Sequence, residues 1–143
     1  AIELERIADH SKNLAEIVIF MGDEPLLKPL IDIPRMAEIC ESMLNQSLDA
    51  FARNDAELGR AVCARDDEID QLYEQIFREL LTYVMEDPRA VTRALNLLFA
   101  AHNLERIGDR ITNIGERVIY AATGRLEELN IEATSRGGQD AQR

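Results

Sequence analysis

Glu5 and Asp9 stand four residues apart, as do Glu105 and Asp109, and Asp66 and Asp70. On an α-helix this spacing makes surface neighbours, with Cβ atoms roughly 5–6 Å apart. Carboxylates held that close repel one another unless a cation or a basic side chain lies between them. Asn13 and Asn113 add a neutral oxygen one turn beyond the outer pairs, and Asp67, Glu68 and Glu74 enlarge the central acidic row. Such oxygens suit hard or borderline cations, bound singly or bridged, and discriminate poorly among magnesium, manganese, iron, calcium and zinc. The candidate metal ligands are therefore Glu5, Asp9, Asp66, Asp67, Asp70, Glu105 and Asp109. A single acidic pair at helical spacing is more commonly a solvated face, and Arg6, Arg106 and Arg110 are at hand to neutralise one. His10 and His102 are weaker candidates, better read as ordinary polar helix residues. No nucleophile, base and oxyanion-stabilising set is legible, so no catalytic residue is assigned.

The acidic pattern recurs at an offset of one hundred residues. Leu4-Glu5-Arg6-Ile7-Ala8-Asp9 stands against Leu104-Glu105-Arg106-Ile107-Gly108-Asp109, and Asn13, Glu16, Val18 and Ile19 match Asn113, Glu116, Val118 and Ile119. Shared helical periodicity would account for the apolar matches but not for the polar ones. Duplication of a helical unit explains both, and the long offset makes that unit a multi-helix bundle. Ala8, Ala15, Gly108 and Gly115 recur as small residues on one face, where a neighbouring helix can approach closely. Gly108 could instead leave room for a metal ion or its waters.

The elements that must carry these residues are helices. Residues 2–21 form a first helix with the stripe Leu4, Ile7, Ser11, Leu14, Val18 and Met21, ended by Gly22. Pro25 and Pro29 mark a connector over residues 22–33. Asp32 and Pro34 open a second helix that runs to about Asn54 on the stripe Ile39, Met43, Leu44 and Leu48. A third is expected to run unbroken from Asp55 to Met85, with Leu58, Val62, Ile69, Leu72, Ile76 and Leu80 inward and Tyr73, Phe77 and Val84 widening that face. Asp87-Pro88 restarts the chain for a fourth helix to about Thr123, with Gly124 just past its end. The expected fold is all-α, an antiparallel four-helix bundle. Residues 1–22 form a helix carrying the first acidic motif, residues 31–125 a three-helix bundle, and residues 126–143 a disordered tail.

Composition agrees with this class. Of 143 residues, 46% are hydrophobic and 5% aromatic, with no Trp, so the core is built from Leu, Ile, Val, Ala and Met. The net charge of −11 disfavours nucleic acid and anionic membrane surfaces as partners and favours cations or a basic protein. Cys40 and Cys63 read as buried free thiols of a reducing compartment. The apolar runs Ile17–Met21 and Leu97–Ala101 are too short to span a bilayer, no signal peptide is visible, and a cytoplasmic location is expected. Gly-rich phosphate loops are absent, since the only adjacent glycines are Gly137 and Gly138.

The run from Asn103 through Glu116, continuing to Val118 and Tyr120, closely resembles the signature helix of the PhoU family. Asp67-Glu68-Ile69-Asp70-Gln71-Leu72-Tyr73, Phe77 through Tyr83, and Glu86-Asp87-Pro88 are also similar to that family, and the first acidic motif resembles its earlier copy. The resemblance covers about residues 3–124. It implies two three-helix bundles related by pseudo-symmetry, with a site for divalent or trivalent metal ions such as iron, manganese, magnesium or zinc at each acidic surface. It implies a non-enzymatic, negative regulator of phosphate uptake and signalling. Its partners would be the phosphate ABC transporter and the sensor histidine kinase of the phosphate regulon. The chain departs from the family in two ways: of the family's first three-helix bundle only the last helix is present, as in a fragment or a shortened protein, and Arg110 stands where the family commonly has His. The first helix must then bury its stripe elsewhere, which predicts homo-oligomerisation. The alternatives are a carboxylate-bridged metal enzyme, ferritin-like or a phosphatase, and a metal-free adaptor. Neither His10 nor His102 has a Glu three residues before it, which argues against the ferritin-like Glu-x-x-His site.

Overall fold

The computed structural model describes residues 2–124, and the tail expected from residue 126 lies outside the described residues. Five α-helices follow in order: α1 (Ile2–Met21), α2 (Asp32–Arg53), α3 (Ala56–Ala64), α4 (Asp66–Glu86) and α5 (Val91–Thr123), with a 3₁₀ turn at Pro88–Ala90 leading into α5. The punctuation residues act as their chemistry dictates. Gly22 and Gly124 take φ of +57° and +71° just past α1 and α5, where only a residue without Cβ turns freely. Asn54 ends α2 in the same left-handed region, at φ 52°. Asp55 caps α3 by accepting from the Leu58 amide at 3.0 Å, and Asp87 caps the 3₁₀ turn by accepting from the Arg89 amide at 3.1 Å.

The expectation of one helix from Asp55 to Met85 is corrected: the rod breaks at Arg65, between α3 and α4. Neither Gly nor Pro causes this. The Arg65 guanidinium donates to Ser42 Oγ at 2.7 Å and Gln46 Oε1 at 2.9 Å, tying the joint to α2. Asp66, Asp67 and Glu68 then fill the first turn of α4, where negative charge is favoured by the helix dipole.

α5 is the central element. At 1.5 Å per residue its 33 residues span about 50 Å, and all the other helices pack against it. Met36, Met43, Val62, Ile69, Ile76 and Ile111 are fully or almost fully buried between α2, α3, α4 and α5. Ile7 joins the same core from α1. Both cysteines are free and buried, and each thiol donates to a carbonyl of α5: Cys40 to Leu104 at 3.4 Å, Cys63 to Thr112 at 3.6 Å. Burial, with the nearby Asp66, pushes the Cys40 thiol up to about 12, so it stays protonated and inert.

The stripe expected on α1 is also corrected. The side turned inward carries Glu3, Ile7, His10, Leu14, Ile17 and Met21, whereas Leu4, Ser11 and Val18 are exposed. Both sets have the period of a helix and differ by a rotation of about one residue. The inward set meets α5 antiparallel, in a reciprocal way. Asn103 accepts from His10 Nδ1 at 3.1 Å and from Asn13 Nδ2 at 3.2 Å. Glu3, the repeat partner of Asn103, receives Arg110 Nη1 at 3.9 Å and Asn113 Nδ2 at 3.4 Å, from the repeat partners of His10 and Asn13. The duplication seen in the sequence is thus a local two-fold relation between α1 and α5.

Candidate metal centre

Asp66 opens α4 and Asp70 lies one turn on, while Glu105 and Asp109 are one turn apart on α5. The short connection through Asp87–Ala90 folds α5 back antiparallel to α4, so the two acidic ridges face one another. Asp66, Asp70 and Asp109 each offer one oxygen, all within 4.8 Å of one another. Glu105 extends the row on α5. His102 follows it, its Nδ1 3.9 Å from a Glu105 oxygen and its ring centroid 6.3 Å from that of Tyr73.

The triad is electrostatically strained. Asp66 is only 4% exposed, and its Oδ1 is buried without a hydrogen-bond partner. Burial, then the charges of Asp70, Asp109, Asp67 and Glu105, push its carboxyl from an ordinary 3.8 up to about 7. Burial also raises Asp70, with Asp109, Asp67 and Glu74 adding to it. Glu105 is raised by burial and by Asp109 and Asp70, against the lowering pull of His102 and Arg106. Asp109 is raised by burial, which outweighs Arg106, Arg110 and His102. The arginines beside the motif therefore do not neutralise the cluster, and the Arg110 guanidinium turns toward Glu3 instead. Gly108 makes the approach possible: a Cβ there would lie 2.8 Å from Ile69 Cδ1 and 3.2 Å from Asp66 Oδ1.

Of the seven sequence candidates, Asp66, Asp70 and Asp109 converge and Glu105 borders them. Asp67 is exposed beside the cluster and reaches it only through its charge. Glu5 and Asp9 are exposed on α1 and belong to no grouping of three ligand side chains among the described residues. Ala8 and Ala15 are likewise exposed, so the close helix approach foreseen for the small residues occurs only at Gly108 and Gly115. Sequence reasoning missed Glu3, which is buried at 5% exposure among Arg6, Arg110 and Arg117. The available signal was the alternative heptad phase 3-7-10-14-17-21 on α1.

An all-oxygen donor set with one orphaned buried oxygen fits a hard cation. No helix among the described residues is long and apolar enough to cross a membrane.

Residues 33–118 match the PhoU domain family. The chain is 44% identical over 125 residues to a phosphate-specific transport system accessory protein PhoU homologue of Rhizobium meliloti, covering 87% of this chain and 53% of that protein. It is 44% identical over 124 residues to the corresponding homologue of Aquifex aeolicus, covering 87% and 56%. The crystal structure of PhoU from Pseudomonas aeruginosa superposes with a TM-score of 0.83 at 40% identity, over 87% of this chain and 60% of that one. The phosphate transport system regulatory protein PhoU from Streptococcus pneumoniae gives 0.81 at 30% identity, over 89% and 60%. The chain spans about half the length of the curated relatives it matches. The repeated acidic helix, the all-α bundle around it and these likenesses agree that the chain belongs to the PhoU family.

Proposed function

We propose that this chain is a regulatory module of phosphate-specific transport that binds a metal ion between α4 and α5 and acts through protein partners. Asp66, Asp70 and Asp109 are the primary ligands, Glu105 an accessory one, and Asp67 a source of charge. The observation that carries the metal site is the Asp66 oxygen, buried, unpartnered and surrounded by carboxylates. A bound cation supplies the missing compensation and draws the end of α4 onto α5. Magnesium, manganese, iron and zinc all suit the oxygens present, with magnesium and manganese the closest matches in hardness. Glu5 and Asp9 extend the proposal to a second site by the repeat, one that lacks facing carboxylates among the described residues. The regulatory role rests on the names borne by the relatives, which describe accessory and regulatory proteins of phosphate transport. The proposed partners are the phosphate ABC transporter and the sensor kinase of the phosphate regulon, contacted from the cytoplasmic side, and a second copy of the chain.

Elemental analysis of the chain purified without added metal tests the site. Asp66→Asn with Asp109→Asn is expected to lose the bound metal while keeping helicity by circular dichroism, and Glu5→Gln with Asp9→Asn to keep it. Equal metal in wild type and the first variant refutes the site. Co-purification with the transporter tests the regulatory reading separately.

A further inference from the structure

A second charged cluster, on the opposite sign, lies where α1 meets α5. The Glu3 carboxylate is almost fully buried, and three guanidinium groups converge on it. Arg6 Nη1 and Arg117 Nη2 approach Oε1 at 3.9 and 3.7 Å, while Arg110 Nη1 and Asn113 Nδ2 approach Oε2 at 3.9 and 3.4 Å. Three cations face this one carboxylate on a chain whose net charge is −11, and Arg110 also acts on Asp109.

The geometry is too loose for a finished ion-pair cluster. Charge-assisted N–H to carboxylate bonds close to about 2.7–2.9 Å, and every contact here is longer. The Nε of Arg110 is buried with no hydrogen-bond partner at all. The donors offer more N–H groups than two carboxylate oxygens can accept. Nor does holding the helices together require charge. The pseudo-symmetric end of the same helix pair is joined by His10, Asn13 and Asn103 at 3.1–3.2 Å, with neither a carboxylate nor a guanidinium in the set. Arg110 and Arg117 stand where that repeat has His10 and Ile17, so these two charges belong to one end only, while Arg6 has its counterpart in Arg106. That end is reachable: the side chains of Arg6 and Arg117 are 51% and 63% exposed. A groove of about 210 Å³ lined by Glu3, Leu4, Leu48, Phe51, Ile114 and Arg117 opens beside them.

We propose that Arg6, Arg110, Arg117 and Asn113 form a binding site for a small tetrahedral oxyanion, and that the carboxylate of Glu3 is its resting occupant. Guanidinium forks match the edges of a phosphate-type anion, whose four oxygens can take up the donors that Glu3 leaves short. The incoming anion displaces Glu3 toward the groove, so occupancy of the site is reported by the seating of α1 on α5. This site shares no residue with the carboxylate cluster and does not depend on the metal proposal.

Isothermal titration of the whole chain with inorganic phosphate, in EDTA at constant ionic strength, tests it. Glu3→Gln removes the internal competitor and is expected to tighten phosphate binding at least tenfold over wild type. Adding Arg117→Gln to that variant is expected to weaken it by a similar factor, with sulfate competing and chloride not. The EDTA keeps any metal ion out of the carboxylate cluster, so the signal read is that of this site alone. Phosphate binding no tighter in Glu3→Gln than in wild type, or indifferent to Arg117→Gln, overturns the proposal. If Glu3→Gln fails to fold, Arg117→Gln alone, on a mostly exposed side chain, still decides: phosphate binding equal to wild type overturns the site, and a loss supports it.

Discussion

Asp66 is where the cost of the carboxylate cluster concentrates. Its side chain is buried, one oxygen is unpartnered, and its carboxyl is raised to about 7 against an ordinary 3.8. The folded state therefore holds a proton that the unfolded state has released between those values, and stability falls as pH rises through that window. In EDTA, the chain is expected to melt at higher temperature at pH 5.5 than at pH 8, an effect of about 2 kcal/mol, because about half of the window from 3.8 to about 7 lies above pH 5.5. Asp66→Asn removes the charge while keeping the shape, so its melting temperature should change far less between the same two pH values. It should also exceed that of wild type at pH 8 without metal. A wild-type melting curve indifferent to pH over this range would contradict the assignment. The i, i+4 spacing and the repeat made Asp66, Asp70, Glu105 and Asp109 legible from sequence. Glu3 was not, because it lies one residue outside the repeated motif and owes its role to Arg110 and Arg117, more than a hundred residues away.

At the scale of the elements, close backbone approach decides how α3 and α4 lie on α5. A Cβ on Gly115 would sit 2.8 Å from Cys63 Sγ and 3.1 Å from the Gly59 carbonyl oxygen. One of those neighbours is backbone and cannot yield without moving α3. Gly115→Ala is therefore expected to destabilise the fold by about 1–3 kcal/mol through overpacking, against a helix-propensity gain of roughly 1 kcal/mol. At Gly108 the atoms in the way are the side chains of Ile69 and Asp66, which can adjust, so Gly108→Ala should cost less. Urea denaturation of the two variants gives the order, and a Gly115→Ala variant as stable as wild type would refute the argument. The helices themselves were readable because their caps are local: Asp55, Asp87, Gly22 and Gly124 act within a turn of their own positions. The break at Arg65 escaped because its cause is a tether to Ser42 and Gln46 on another helix. The acidic run Asp66-Asp67-Glu68 was the one local hint of a new N-terminus there.

Across the whole molecule, the two copies of the repeat meet different surroundings. Leu104, Val118 and Ile119 of α5 are covered by α2, α3 and α4 and are at most 5% exposed. Their partners on α1 are bare, with Val18 and Ile19 at 68% and 78%. A face built for burial and left in water favours association. The chain is expected to be dimeric or larger at micromolar concentration by light scattering, and Val18→Glu with Ile19→Glu to shift it toward monomer. A wild-type monomer would contradict this. Sequence by itself determined the all-α class, every helix end but those at Arg65, the duplication and the acidic ridges, since propensity, caps and i, i+4 spacing act within a few residues. Only the tertiary structure decided which ridges meet. That depends on the axial register of α4 against α5, set by the turn at Asp87–Ala90, the joint at Arg65 and the gap left by Gly108. The same physics explains α1, whose two possible inward faces share one period, so that the choice between them belonged to the helix packed against it.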